Sequence, residues 1–510
     1  MPLVPELSVG GVALRARLER PDDYEDPQSE ETWRTRFRAR TELRPGPALE
    51  LGDQVELASE LCELIPGDCV FSEGGFWYYA KPRGIHVEIS KSRLGSIVQW
   101  YSGVLVGAEN AKRFRVSAQT VKGAIQCLQD RADAAHYFND APSATVFANH
   151  TVVAEGGEIE RLDHSRDFRA RYAYSFDFRP GAQPSRFLEL LRESFVGCVD
   201  VEERIECIRE YVGGCILGKA TKFQKAIVLF GPGGTGKSVV LKIVEDMMPS
   251  GSVASIGPQR MGHEYSLATL AGKHLNVQPD ISSADLFDSS AFKAVVTGDT
   301  VTGRFLYKDE FPFRPVAGHI YSANRLFGSR DHTTGLWRRL VPIEFGNVVS
   351  EERIDRNLAE RVIKTELAEL VSWAIEGGAK ALHRGKLTVP LTSAKSLEDW
   401  RMDNDPVAMF VEQDYTCARL RTAPKRCWET LSDMHTAFGR FADEFKFSQM
   451  SRTTFKNRLA DLGYRSEKTE RGVCPPLVRK TEAERRASEV WSEATTVRPH
   501  QSSLEARYDD

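Results

Sequence analysis

The sequence predicts three kinds of architecture in one chain: an α+β N-terminal region, a doubly wound α/β domain with a mainly parallel sheet, and a C-terminal module of helices and a β-wing. Three observations predict it. At 510 residues the chain is long enough for roughly two to four domains. A run of buried-strand character, AIVLF at 226–230, passes through the glycine-rich stretch GPGGTGKS into the helical pattern SVVLKIVEDMM. Short apolar strands then alternate with helices as far as Phe345.

Composition sets few limits. With 41% hydrophobic and 27% charged residues the chain is ordinary globular protein, and a formal charge of -4 neither announces nor excludes a nucleic-acid partner. The nine cysteines, Cys62, Cys69, Cys127, Cys198, Cys207, Cys215, Cys417, Cys427 and Cys474, contain no CxxC pair, so packed thiols are expected rather than a zinc finger or a disulfide framework. The stretch MPLVPELSVGG has neither a basic lead nor an apolar run, and no apolar segment approaches the ~20 residues of a membrane span. A cytoplasmic protein is expected.

Along the chain, residues 1–50 mix both charge signs with proline and read as a flexible charged arm. Residues 51–144 read as a small α+β region: QVELASELCELI as a helix, CVFSEGGFWYYA as a hairpin around Gly74 and Gly75, then two further helices. A second unit at 145–215 opens with apolar runs joined through Gly156 and Gly157 and continues into helices. The α/β domain is placed at 216–385, ending in a long helical pattern stopped by glycine. A linker or lid at 386–418 precedes a winged-helix-like module at 419–482, with a disordered tail at 483–510.

Gly231, Gly236, Lys237 and Ser238 fill the pattern GxxxxGK[ST], with the strand before it and the helix after it that the motif requires. The whole loop, Gly231, Pro232, Gly233, Gly234, Thr235, Gly236, Lys237 and Ser238, is expected to bind a nucleoside triphosphate. Its backbone N–H groups would cradle the phosphates, Lys237 would reach the β- and γ-phosphates, and Ser238 would hold Mg2+. A hydrolysing site also needs a carboxylate at a neighbouring strand end, and GKHLNVQPDIS offers Asp280, a second candidate ligand for Mg2+. Further on, VTGRFLYKDEFPFRP reads as a hairpin with Lys308 at its tip. HIYSAN ends a strand at Asn324, suited to orient water, and Arg338 and Arg339 precede another strand.

The order of these stretches carries a resemblance. LAGKHLNVQPDI, FKAVVTGDTVTGRFLYKDEFPFRPVAGHIYSAN and DHTTGLWRRLVPIEF together resemble the superfamily 3 helicases of phages, plasmids and large DNA viruses, the branch that includes poxvirus and satellite-phage primase-helicases. The resemblance covers about residues 145–415, with a looser winged-helix match to about 480. It implies an AAA+ domain that works as a ring, usually a hexamer, and moves along single-stranded or forked DNA while hydrolysing ATP with Mg2+. It also implies roles: Lys237 and Ser238 as the Walker A pair, Asp280 as the Walker B acid, Asn324 as the sensor, Arg338 or Arg339 as a finger offered to the neighbouring subunit. The hairpin with Arg304 and Lys308 would face DNA in the channel. Asp280 stands alone after Pro279 where many motors have adjacent acids.

The N-terminal region has no DxD with a later histidine, and the triplet DND at 403–405 reads as a loop, so the helicase is expected without a primase domain and with a separate primase or polymerase as partner. Residues 51–144 would then be a collar for ring assembly. In the C-terminal module Arg452, Lys456 and Arg458 could face DNA phosphates or form a solvated helix face. Two rival functions stay open: a bifunctional primase-helicase, and a DNA-binding replication initiator whose ATP site is regulatory.

Overall fold

The computed structural model describes residues 30–482 and 484, apart from 43–47, 66, 108–111, 140, 143, 282–288, 308, 325, 327–333, 351, 353–354, 404, 419–422, 446, 448 and 483. The chain divides into two compact units, with the break between Lys395 and Ser396. Among the described residues no helix is long and apolar enough to cross a membrane, and the nine cysteines are free thiols.

The first unit begins with a helix, Glu30–Thr41, inside the stretch expected to be an arm. Its mixed charges hide an apolar pair four residues apart. Trp33 is buried edge-on to Tyr78, and Phe37 lies edge-on to Tyr101. Arg40 closes a two-pronged ion pair on Glu60 at 2.9 Å. The helix Gln54–Leu64, a three-stranded antiparallel sheet (Cys69–Ser72, Gly75–Ala80, Ile85–Ile89) and the helices Lys91–Trp100 and Ala118–Ala132 complete this core.

A second antiparallel sheet, Ala144–Val146, Thr151–Glu155 and Glu158–Leu162, leads to the helices Ser185–Ser194 and Val201–Ile216. The first helix lacks a capping side chain of its own. Its open N–H groups are met by buried Glu366, which accepts from Arg186 N at 3.0 Å and Phe187 N at 3.3 Å. Glu366 belongs to the long helix Leu358–Arg384, which crosses Val201–Ile216 at backbone contact. The glycines make that crossing possible: a Cβ on Gly213 would stand 1.9 Å from the Ala374 carbonyl oxygen.

In sequence between these two helices comes a five-stranded parallel sheet. In spatial order it runs Val253–Ala254 (edge strand), Leu275–Gln278 (acid strand), Gly318–Ala323 (middle strand), Ala226–Phe230 (loop strand) and Leu340–Glu344 (arginine strand). The last four are buried almost throughout, as parallel strands covered on both faces must be. The edge strand is short, and the Asn276 amide extends the pairing by binding both the N–H and the carbonyl of Ile256, at 2.8 and 2.9 Å.

The second unit contains the helix Pro406–Asp414, the strand Tyr415–Cys417, the helices Leu431–Glu444 and Arg452–Asp461, the hairpin Glu467–Thr469 with Gly472–Cys474, and the strand Leu477–Arg479. Leu477–Arg479 returns to pair antiparallel with Tyr415–Cys417. The helix Pro406–Asp414 was expected in a linker. Instead Val407, Phe410 and Val411 pack into the same core as Phe438, Phe455 and Leu459. The triplet expected as a loop ends in a working cap: Asp405 accepts from Val407 N and Ala408 N at 3.1 Å, with Pro406 at the first helical position.

Candidate nucleotide site and its surroundings

The phosphate loop leaves the loop strand at Gly231 and ends where Gly236 starts the helix Lys237–Asp246. Gly231 is placed where only glycine fits. Its φ is +140°, and a Cβ there would meet the Phe345 carbonyl oxygen at 2.1 Å. Thr235 is buried and closes the loop by donating to the Pro232 carbonyl at 3.1 Å. Gly233, Gly234 and Ser238 are exposed, so the outer rim of the loop and the first helical turn face open space. The first N–H groups of a helix have no partner within it, so this rim is a ready anion cradle.

Lys237 is buried, and its ammonium donates to the carbonyls of Gly231 at 2.8 Å and Pro232 at 2.7 Å. Burial pulls its pKa below the ordinary lysine value, and the charge of Asp280 partly offsets that pull. A cation held on loop carbonyls and coupled to a nearby carboxylate is suited to a polyanion, which supplies the charge partner that carbonyls cannot.

Strand register brings the other candidates to the same edge of the sheet. Tyr321 of the middle strand pairs with both Gln278 and Val228, and Ala323 pairs with Phe230. Asp280 therefore stands level with the end of the loop strand, and Asn324 level with Gly231. Both are exposed. Asp280 adopts φ +55°, an uncommon conformation for a residue other than glycine, and the next residue is tied down by Ile281 N donating to the Ser322 carbonyl at 2.8 Å. Ser238 and Asp280 are the side chains that could share Mg2+ with phosphate oxygens. Among the described residues no group of three His, Cys, Asp or Glu side chains forms a self-sufficient metal site.

The two arginines part company. Arg338 is exposed, whereas Arg339 is 8% exposed, turned inward to donate to the Gly335 carbonyl. Burial, then the neighbouring Arg338 charge, lowers the Arg339 pKa. Both lie before Leu340, which pairs with Ala226, the first residue of the loop strand. They are thus at the end of the sheet away from the phosphate loop.

The hairpin Val301–Arg304 with Glu310–Phe313 is anchored by Phe305 stacked on Phe311 at 5.3 Å and by Gly303 lying against Ala268. Arg304 is half-buried opposite Glu310, and Lys308 lies outside the described residues. Tyr307, which sequence reasoning passed over, is 94% exposed at the turn. In the second unit Arg452 and Lys456 are exposed on the helix Arg452–Asp461. Arg458 is not available for phosphates: it is buried, and its Nε donates to Asp405 at 2.7 Å. Its spacing from Phe455 and Leu459 puts it on the inward face, which is why the assignment to a DNA surface fails for this residue.

Comparison with known proteins adds the following. Residues 229–339, from the loop strand to the arginines, match a family of unknown function, DUF5906. That match names no activity. A protein of Acanthamoeba polyphaga mimivirus named "Putative helicase" is 26% identical over 149 residues, which is 27% of this chain and 15% of that protein. The chain thus spans a small part of that relative's length. Among solved structures, the apo A form of the NrS-1 C-terminal region aligns with a TM-score of 0.47 at 14% identity, covering 84% of this chain and 100% of that one. A second apo structure of the same region gives 0.46 at 13% identity, covering 84% and 99%.

Proposed function

We propose that the chain is an ATP-hydrolysing DNA helicase of superfamily 3, with an AAA+ core that works as a head-to-tail ring on single-stranded or forked DNA. The observation that carries the reading is the division of groups between the two ends of one parallel sheet. Lys237, Asp280 and Asn324 gather at one end, and exposed Arg338 stands at the other.

The division has a chemical consequence. The loop with Lys237 would hold the triphosphate, Ser238 and Asp280 would hold Mg2+, and Asn324 would orient the attacking water. Bound Mg2+ would neutralise charge on the phosphates. Lys237 is the cation the loop itself supplies, and Arg338 of the same chain is too far along the sheet to add a second for charge developing during transfer. A neighbouring subunit, docked with its arginine end against this loop end, can. Such a contact joins unlike surfaces, and repeated it closes into a ring. The mimivirus relative's name agrees with this reading, as does the hairpin carrying Arg304 and Lys308, which would line the channel. The second unit, with its helices and β-wing in winged-helix order, offers Arg452 and Lys456 as further phosphate contacts.

The test is strand displacement on forked DNA carrying either polarity of tail, with ATP turnover and sedimentation measured alongside. The expected result is unwinding with one tail polarity, turnover stimulated by single-stranded DNA, and larger assemblies with nucleotide. Unwinding that persists in Lys237→Ala would sink the proposal. Origin binding without unwinding would favour an initiator, and template-dependent primer synthesis would favour a primase-helicase.

A further inference from the structure

Two chain segments border the phosphate loop, and neither belongs to the motif. After the arginine strand, residues 345–349 run beside the loop: Val349 N donates to the Gly234 carbonyl at 2.9 Å, and a Val348 methyl lies 3.7 Å from where a Cβ on Gly234 would stand. The end of the helix Ser185–Ser194 also comes near the loop, with the Ser194 hydroxyl 3.3 Å from where a Cβ on Gly236 would stand. The two segments are joined to each other. The Asn347 amide donates to the Glu193 carbonyl at 2.8 Å, and the rings of Phe195 and Phe345 meet edge-on at 4.8 Å. Beneath them Arg204, buried and paired with Asp200, donates to the Glu344 carbonyl and fixes the root of the second segment.

A rigid frame of this kind has no need of apolar tips, yet it presents them. Val348 is 58% exposed and Val196 is 65% exposed, while the residues between Val348 and the buried strand end, Gly346 and Asn347, are exposed and small or polar. Single exposed valines are common on any surface. These differ in being held by a main-chain hydrogen bond and a side-chain clamp against a loop whose own rim is polar. A nucleotide anchored by its phosphates has one apolar part left to place, the faces of its base, and small-molecule sites combine a few polar anchors with apolar walls.

We propose that Val348, with exposed Val196 of the joined segment, is the platform for the base of the bound nucleotide. The inference rests on the triphosphate reading of the loop and adds the part of the ligand the motif does not reach. The valines offer no hydrogen-bonding group, so the platform would hold a purine by its face and favour the larger ring over a pyrimidine.

The experiment is calorimetric titration of the full chain with ATP and, separately, with inorganic tripolyphosphate, which has the anchor and no base. Val348→Ser is expected to weaken ATP about five- to tenfold, the scale of one partly covered valine side chain, with tripolyphosphate unchanged. Val348→Ile is expected to keep wild-type affinity for both. Equal weakening of both ligands by Val348→Ser, or weakening of neither, overturns the platform. Failure of the wild-type chain to bind either ligand overturns the triphosphate reading, and the platform with it.

Discussion

If Arg338 acts only on a neighbour's nucleotide, two inactive variants should repair each other. Leu340 pairs with Ala226, and the phosphate loop begins at Gly231, so at ~3.3 Å per residue the start of the arginine strand lies roughly 16 Å from its own loop. That exceeds the reach of an arginine side chain. Arg338→Ala alone should therefore bind ATP normally and lose about 10³-fold or more in turnover, the range measured for arginine fingers. Lys237→Ala should lose turnover through its own site. In an equimolar mixture, a working site needs Lys237 from an Arg338→Ala chain and Arg338 from a Lys237→Ala neighbour. Random assembly with independent sites makes about one interface in four of that kind, so the mixture should recover about a quarter of wild-type turnover. The assay is steady-state phosphate release across a titration of one variant into the other, at concentrations where the chain assembles. A mixture no more active than either variant, or wild-type turnover in Arg338→Ala, refutes the geometry.

Other perturbations test the remaining parts. Gly231→Ala brings a Cβ to 2.1 Å from the Phe345 carbonyl, and at φ +140° it should cost about 1–3 kcal/mol and lower both thermal midpoint and ATP affinity. Gly233→Ala, where a Cβ meets nothing within 4 Å, should leave the thermal midpoint unchanged; equal losses in both would contradict the fit described for Gly231. In the second unit Arg458→Ala strands a buried carboxylate on Asp405, and about 3–5 kcal/mol of local stability should vanish, read as faster amide exchange in the helix Arg452–Asp461. Arg452→Ala should leave exchange alone and weaken only DNA binding. Lys237 sets a pH dependence: its pKa is lowered in the free chain from 10.5, so a bound triphosphate must restore the proton. Affinity should be full below the free-chain value and fall by up to about tenfold per pH unit as pH rises through it toward 10.5, and a flat profile up to that value would remove the ammonium from the binding step.

The phosphate loop was legible because its determinants are adjacent: strand, glycines, lysine and helix follow one another within residues 226–246. Helices with strong apolar spacing were legible for the same reason, among them Val201–Ile216 and Leu358–Arg384. What stayed hidden depends on pairing between distant segments. Nothing near Arg338 and Arg339 says which one turns inward; that is decided by the turn before Leu340 and its register with Ala226. Arg458 reads as a surface cation until Asp405, distant in sequence, is found facing it. The helix at Glu30–Thr41 was missed because its charges outnumber the two aromatic residues that dock it. Val348 carries no motif, and its position becomes informative only through Gly234.

Asp280 joins conformation and charge in one residue, and the two can be separated. Its φ of +55° follows directly on Pro279, and the chain re-enters the sheet edge at Ile281, so the carboxylate is presented on a tight reversal. Such outliers persist where the surroundings enforce them, and they gather at working sites. Asparagine tolerates the left-handed region nearly as well as aspartate, whereas alanine adds about 1 kcal/mol of strain there. Asp280→Asn should thus keep the fold and the thermal midpoint. It also removes the charge that holds the Lys237 pKa up, so the pH at which ATP affinity begins to fall should move lower than in the wild type. Turnover should drop about 10²- to 10⁴-fold, the scale of a lost acid–base group, because the carboxylate proposed to meet Mg2+ and water is then gone. Asp280→Ala should show the same loss of turnover and, in addition, a lower melting temperature. If Asp280→Asn turns over ATP at the wild-type rate, the lone acid after Pro279 is a structural turn, and the carboxylate that serves hydrolysis must be sought elsewhere.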